Sequence, residues 1–156
     1  MNNLSVFTED EQFGFEMYFE EGMTGLPDAQ CFHCHGGPLL TDNDFRNNGL
    51  DEAASVDDFE DKGQGGVLGM SSRNGFFRTP SLRNIAVTAP YMHDGRFETL
   101  EEVLDHYASG GHPSPNKDAL IDSIDLNAKQ KDQIIAFLKT LTDDKLLSDE
   151  RFSDPN

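Results

Sequence analysis

Cys31-Phe32-His33-Cys34-His35 is the stretch from which the rest of the chain is read. Two cysteines separated by two residues and followed at once by histidine form C-x-x-C-H, the attachment pattern of c-type haem. The two thiols can form thioethers to the porphyrin vinyl groups, and His35 can supply the proximal imidazole to iron. These are the only 2 cysteines in 156 residues, so haem that takes both leaves no disulfide and no free thiol. Two other chemistries use the same residue types. A thioredoxin-like redox pair also reads C-x-x-C, but it follows a β-strand in a βαβ unit. The stretch before Cys31 reads instead as polar and helical. A structural zinc site needs four ligands. The histidines at 33, 35, 93, 106 and 112 are enough to keep zinc open by count. Haem is the first reading.

Composition narrows the function classes. The chain carries 29 acidic against 12 basic residues, a formal net charge of -17. That excludes nucleic-acid and anionic-membrane partners, which need basic surfaces. It suits a protein that meets a basic partner by electrostatic steering, although an acidic surface also serves solubility alone. At 36% hydrophobic the chain is lean for a self-sufficient core, and a buried porphyrin would add apolar surface. No apolar run reaches transmembrane length, so no membrane insertion is expected. Residues 1–11 lack the basic start and apolar core of a signal peptide. Because c-type cytochromes mature outside the cytoplasm, a periplasmic or otherwise extracytoplasmic mature piece is expected.

The remaining pattern is helical. Thr8 with Glu11 forms a capping box opening a helix to about Glu21, with Phe13, Met17, Tyr18 and Phe19 on its apolar side and Gly22 as its stop. Gly36, Gly37 and Pro38 end a brief helix at the cysteine motif. Residues 40–76 read as mostly irregular and acidic. Loops of that length need a function or an anchor, which wrapping one haem edge would supply. Residues 79–85 form a loop entering a short apolar turn, and Ala89 through Gly95 a tight turn. Thr99 with Glu102 opens a helix bearing Leu100, Val103, Leu104 and Tyr107 on one face. Asn127 with Gln130 opens another, with Ile134, Ile135, Phe137, Leu138 and Leu141 inward. No strand and no internal repeat is expected. The expected architecture is a single all-α domain over 1–156, with a core of about 8–141 and a polar tail at 142–156.

Several of these stretches together resemble a known family. Cys31 through Gly37, Phe45-Arg46-Asn47-Asn48-Gly49-Leu50, Phe77 through Ile85 and Thr88 through Phe97 are similar to the C-terminal haem domain of bacterial dihaem cytochrome c peroxidases and their MauG-like relatives. The resemblance runs from about Thr8 to Leu141. It implies a class I cytochrome c-like domain with long irregular loops around one covalent haem. It also implies electron relay from a small cytochrome or cupredoxin donor to a peroxidatic haem in a second haem domain. The chain carries one haem motif where family members carry two, so it is expected to have no peroxidase activity alone. The alternatives are a MauG-like enzyme with Tyr-ligated iron reaching high-valent states, a stand-alone monohaem cytochrome, and a sensor or scaffold that uses haem only for structure.

The sixth iron ligand stays open among named residues. Tyr107 is the first candidate, because the resemblance aligns it with the distal ligand position, where the peroxidases carry methionine and the MauG-like proteins tyrosine. Its bland role is an aromatic packed on the helix face. Met92 is second and Met70 third, each equally at home as a packing residue. An open or water-bound site and His106 complete the set, with His106 expected to point away from a ligand on its own helix. His93 reads as a turn residue before a catalytic one. Arg78 and Arg83, and less so Arg73, are candidate partners of the haem propionates because guanidinium pairs well with carboxylate. Local carboxylates compete for them, while Thr79 and Ser81 are further propionate donors. The resemblance also implies a calcium site using backbone oxygens at Thr88 and Pro90. That site would be incomplete or weak without a second domain. Asp57, Asp58, Glu60 and Asp61 fit no calcium loop and read as a solvated run.

Overall fold

The computed structural model describes residues 6–19 and 25–153. Five helices, α1 (Glu9–Phe19), α2 (Gly63–Leu68), α3 (Leu100–Ser109), α4 (Ala128–Lys139) and α5 (Asp144–Leu147), are joined by long loops and four short 3-10 turns. The three longest helices each begin with the capping box expected from sequence. Thr8 and Glu11 exchange bonds of 2.7 and 3.3 Å. Thr99 pairs with Glu102, and Asn127 with Gln130. Each box satisfies N–H groups that a helix start leaves without partners. The expected end of α1 at Glu21, with Gly22 as its stop, lies outside the described residues.

The core forms where α1 crosses α4. Gly14, Met17 and Tyr18 of α1 are buried, as are Ile134, Ile135, Phe137 and Leu138 of α4. Phe15 and Phe19 flank this contact and pack on Phe137. The expected inward Phe13 is only half-buried and lies outside the core cluster. Gly14 is the reason. A Cβ there would meet the Gln133 carbonyl oxygen at 2.0 Å and Phe137 Cβ at 2.9 Å, so the two backbones touch through this glycine. The contact rotates α1 so that 14, 17 and 18 face α4, a spacing of three and four residues. Gln133 is buried at the crossing and donates to Asp10 at 2.8 Å.

Two expectations are corrected. The fold is mostly helical but not all-α: β1 (Phe45–Arg46) pairs antiparallel with β2 (Phe77–Arg78), in register Phe45 to Arg78. Two residues per strand are too few for an alternation pattern to register. The stretch 40–76 is also less irregular than expected, since it holds α2 and a 3-10 turn at Ser71–Arg73. Glycine is a poor helix former, so α2 gives no propensity signal. It is held by close backbone approach: a Cβ on Gly65 would sit 2.4 Å from the Asn74 backbone nitrogen. Asn74 is itself buried and donates to the Val56 carbonyl at 2.8 Å.

The tail docks at its start. The Asp143 N–H donates to Asn84 Oδ1 at 2.6 Å, and the Asn84 N–H to the Leu141 carbonyl at 3.0 Å. Among the described residues no helix is long and apolar enough to cross a membrane.

Gly14→Ala tests the crossing. Overpacking at a backbone contact costs about 1–3 kcal/mol, more than the roughly 1 kcal/mol gained from helix propensity. Urea unfolding should show a lower midpoint. A midpoint at or above wild type would mean that α1 and α4 do not touch at this residue.

Candidate functional site

The cysteine motif sits on a single tight turn. Gln30 precedes it in the left-handed region at φ 60°, which turns the chain out of the preceding loop. The N–H groups of Cys34 and His35 then both donate to the Cys31 carbonyl, at 3.3 and 2.9 Å. This turn is tied to α1 at both ends. The Ala29 N–H donates to the Met17 carbonyl at 2.9 Å, and the Tyr18 hydroxyl to the His35 carbonyl at 2.7 Å. Tyr18 is fully buried, and burial pushes its ionisation far above the ordinary range. It therefore acts as a neutral donor.

The electrostatics keep the motif neutral. Burial pushes the Cys31 thiol up to about 12, and its Sγ lies 3.4 Å from the Ala29 carbonyl, which accepts from it. Burial also raises Cys34. Neither is the activated thiolate that redox or zinc chemistry requires. Among the described residues no three His, Cys, Asp or Glu side chains gather to hold a metal ion, so the zinc reading gains nothing.

His35 is the oriented member. Its Nδ1 lies 3.1 Å from the Pro80 carbonyl oxygen. A carbonyl only accepts, so the proton is assigned to Nδ1 and the lone pair to Nε2, the tautomer that binds a metal. Burial lowers the His35 pKa, which further favours the neutral ring. Pro80 belongs to a loop that Thr41 also grips, its hydroxyl donating to the Thr79 carbonyl at 2.7 Å.

Tyr107 and Met92 meet the same amide nitrogen, Asn48 Nδ2. Asn48 Nδ2 lies 3.2 Å from the Tyr107 hydroxyl and 3.5 Å from Met92 Sδ. Burial raises the Tyr107 pKa, the Asn48 bond opposes that rise, and Cys34 and Cys31 add to it. Phenol and thiols thus share one low-dielectric neighbourhood. Met92 sits at φ 73° in the turn between Tyr91 and Phe97, which the Tyr91 N–H closes on the Phe97 carbonyl at 2.7 Å. Met70, by contrast, is 50% exposed at the end of α2 and does not join this group. His106 is buried and engages the Asn48 carbonyl through Nε2 at 3.1 Å.

The arginines have different surroundings. Arg78 is exposed and donates to Asn43 at 3.0 Å; Arg83 is exposed and donates to the Pro38 carbonyl at 2.7 Å. Arg73 lies over the Phe76 ring, 5.1 Å from its centre. Ser81 donates to the Leu39 carbonyl. The guanidinium acting on Cys34 and His35 is Arg46, which bridges Asp42 at 2.7 Å and Asp118 at 2.6 Å. Burial works against the charged form of Asp42, yet Arg46 holds its carboxyl below the usual range. Arg46 and Asn48 were visible in sequence only as members of the Phe45-to-Leu50 stretch. Neither carries a spacing signal of its own.

His93 stacks on Phe77, with ring centres 3.5 Å apart, and its Nε2 is 3.9 Å from Asp61. The ring is thereby occupied structurally. Thr88 and Pro90 are both exposed, after the Ile85–Val87 turn.

The comparisons with known proteins agree with this geometry. A family profile described as di-haem cytochrome c peroxidase matches residues 8–152. The cytochrome-c peroxidase IdrP1 of Pseudomonas sp. strain SCT is 37% identical, across 78% of this chain and 39% of that protein. The methylamine utilization protein MauG of Methylorubrum extorquens is 31% identical, across 88% of this chain and 36% of that protein. A crystal structure of a MauG-like protein associated with microbial copper homeostasis superposes with a TM-score of 0.85 at 42% identity, covering 96% of this chain and 51% of that one. The chain thus spans between 36% and 51% of the length of these relatives. It belongs to the di-haem cytochrome c peroxidase family.

Proposed function

We propose that the chain is a c-type haem redox domain that takes electrons from a small donor protein and relays them to a peroxidatic haem on a second domain, outside the cytoplasm. The observation that carries this reading is His35. Its Nδ1 is held by the Pro80 carbonyl, its ring also meets the Leu40 backbone, and two protonated thiols outside any disulfide lie in the same turn. Cys31 and Cys34 would hold the porphyrin covalently, His35 would ligate iron, and Tyr107, with Met92 as the alternative, would supply a second iron ligand. Bound there, the haem would supply a reversible one-electron change at iron.

The chain's own residues do the rest. Tyr18 and Pro80 hold the His35 segment from two sides, so the imidazole keeps one orientation. The aromatic cluster of Phe15, Phe19 and Phe137 excludes water behind the motif. Of the charged groups acting on Cys34, Arg46 acts most strongly, and it is a better propionate partner than the expected Arg78 or Arg83. Thr88 and Pro90 would lend backbone oxygens to a weak calcium site that a second domain completes. The net charge of -17 supports a basic donor, cytochrome or cupredoxin, that is steered to the surface.

One observation favours a second reading. Tyr107 is half-buried with its hydroxyl against the Asn48 amide, and tyrosinate ligation favours oxidised iron. That is the property expected of a MauG-like oxidising enzyme. With hydrogen peroxide, a relay domain alone should show no saturable turnover. Rapid saturable turnover by the isolated chain would decide for the enzyme.

Three further measurements bear on the reading. Haem should stay with the protein through acid-acetone extraction, and should be released from the Cys31→Ser/Cys34→Ser double variant. A folded wild-type chain that binds no haem would end the proposal. Tyr107→Phe should change the ferric optical and EPR spectra, including the spin state. Unchanged spectra with a thioether charge-transfer band would assign Met92. Electron uptake from a small basic cytochrome should slow about tenfold or more between low and high salt. A rate independent of salt would remove steering from the account.

A further inference from the structure

Among the described residues, Asn48 hydrogen-bonds to both Tyr107 and Met92, and its own position is over-determined. Its neighbour Asn47 is buried and donates to Ser114 at 3.0 Å and Asn116 at 2.9 Å, while its Oδ1 accepts from the Gly49 N–H at 3.0 Å. Gly49 follows at φ 68°, and its carbonyl accepts from the His112 N–H at 2.7 Å. The Asn48 carbonyl is held by His106. Consecutive residues of α3 therefore grip Asn48 twice, His106 by its backbone and Tyr107 by its side chain.

The chemistry of the partners fixes which way the amide faces. A thioether sulfur only accepts hydrogen bonds. The group 3.5 Å from Met92 Sδ is therefore the Asn48 NH2, not its oxygen. The same NH2 is 3.2 Å from the Tyr107 oxygen. A donor aimed at a phenol oxygen shares the negative charge that oxygen carries as a tyrosinate ligand. The same donor holds Met92 Sδ at 3.5 Å, so the place of that sulfur is set by Asn48 too.

We propose that Asn48 is the positioning residue that assigns the sixth iron site to Tyr107 and withholds Met92. This rests on the reading of Cys31, Cys34 and His35 as a haem site. Asn48 does not itself bind iron. It acts through the two side chains between which the iron must choose, and so sets whether the centre has tyrosinate or thioether character.

The test is the ferric optical and EPR spectrum and the reduction potential of the haem-loaded protein, at one pH. Wild type should show tyrosinate ligation. Asn48→Asp has the same shape but presents only acceptors, and Asn48→Leu presents neither donor nor acceptor. Both should move the tyrosinate-to-thioether ratio roughly 10- to 100-fold toward Met92, the scale of a lost hydrogen bond to a charged group, and raise the potential. Asn48→Gln, which keeps the donor, should restore most of the tyrosinate signature. A side chain that merely fills space would leave Asn48→Asp with the wild-type spectrum. If Asn48→Asp fails to take up haem, Asn48→Leu decides alone. Wild-type spectra and potential in whichever of these two variants bind haem would overturn the proposal, as would thioether ligation in wild type. Wild-type chain without covalent haem would instead overturn the haem reading itself, and pyridine haemochrome assay separates the two failures.

Discussion

The close approach of α1 to α4 at Gly14 is the constraint on which the site depends. With no Cβ between the helices, the Gln133 carbonyl lies against the α1 backbone. This sets the rotation of α1, and that rotation points Tyr18 at the carbonyl of His35. At the other end of the α4 segment, the Leu141 carbonyl receives the Asn84 N–H, anchoring the loop that carries Pro80 and Leu82. The α1–α4 contact and the Leu141–Asn84 bond thus hold the two segments on either side of His35. Because the contact is backbone to backbone, no larger residue could reproduce it without moving one of the helices.

Neutrality is the second organising feature. A chain with a net charge of -17 keeps two thiols, a phenol and an imidazole uncharged around one small volume. Burial does this for each group, raising the thiols and the phenol and lowering the imidazole. The charges are held at the edge, where Arg46 is neutralised by Asp42 and Asp118. Such a site suits an apolar macrocycle with charged margins. It also explains why the composition alone looked lean for a core: part of the apolar surface belongs to the expected cofactor.

The segment Phe45 to Leu50 links the two halves of the site. Arg46 reaches toward Cys34, Asn47 ties the loops at Ser114 and Asn116, and Asn48 meets Tyr107 and Met92. Three successive side chains thereby address three different surroundings. The β1–β2 pairing fixes the start of this segment at Phe45–Arg46, and the Gly49 turn at φ 68° ends it.

What the sequence alone determined was local or covalent. C-x-x-C-H names its chemistry because the spacing itself is the chemistry. Three capping boxes marked the long helices because a cap is read within four residues. The apolar face of α4 followed from helical period. The inward face of α1 followed in part, through Met17 and Tyr18; Gly14 did not, since Phe13 outranks it on hydrophobicity, yet close packing needed the glycine. Tertiary structure alone decided the β1–β2 pairing and the glycine-supported α2, whose stability lies in contacts between residues far apart in the chain. It alone separated Arg46 from Arg78 and Arg83, and Met92 from Met70. Like residues carry like sequence signals, and only the folded backbone brings one arginine to Cys34 and one methionine to the amide of Asn48.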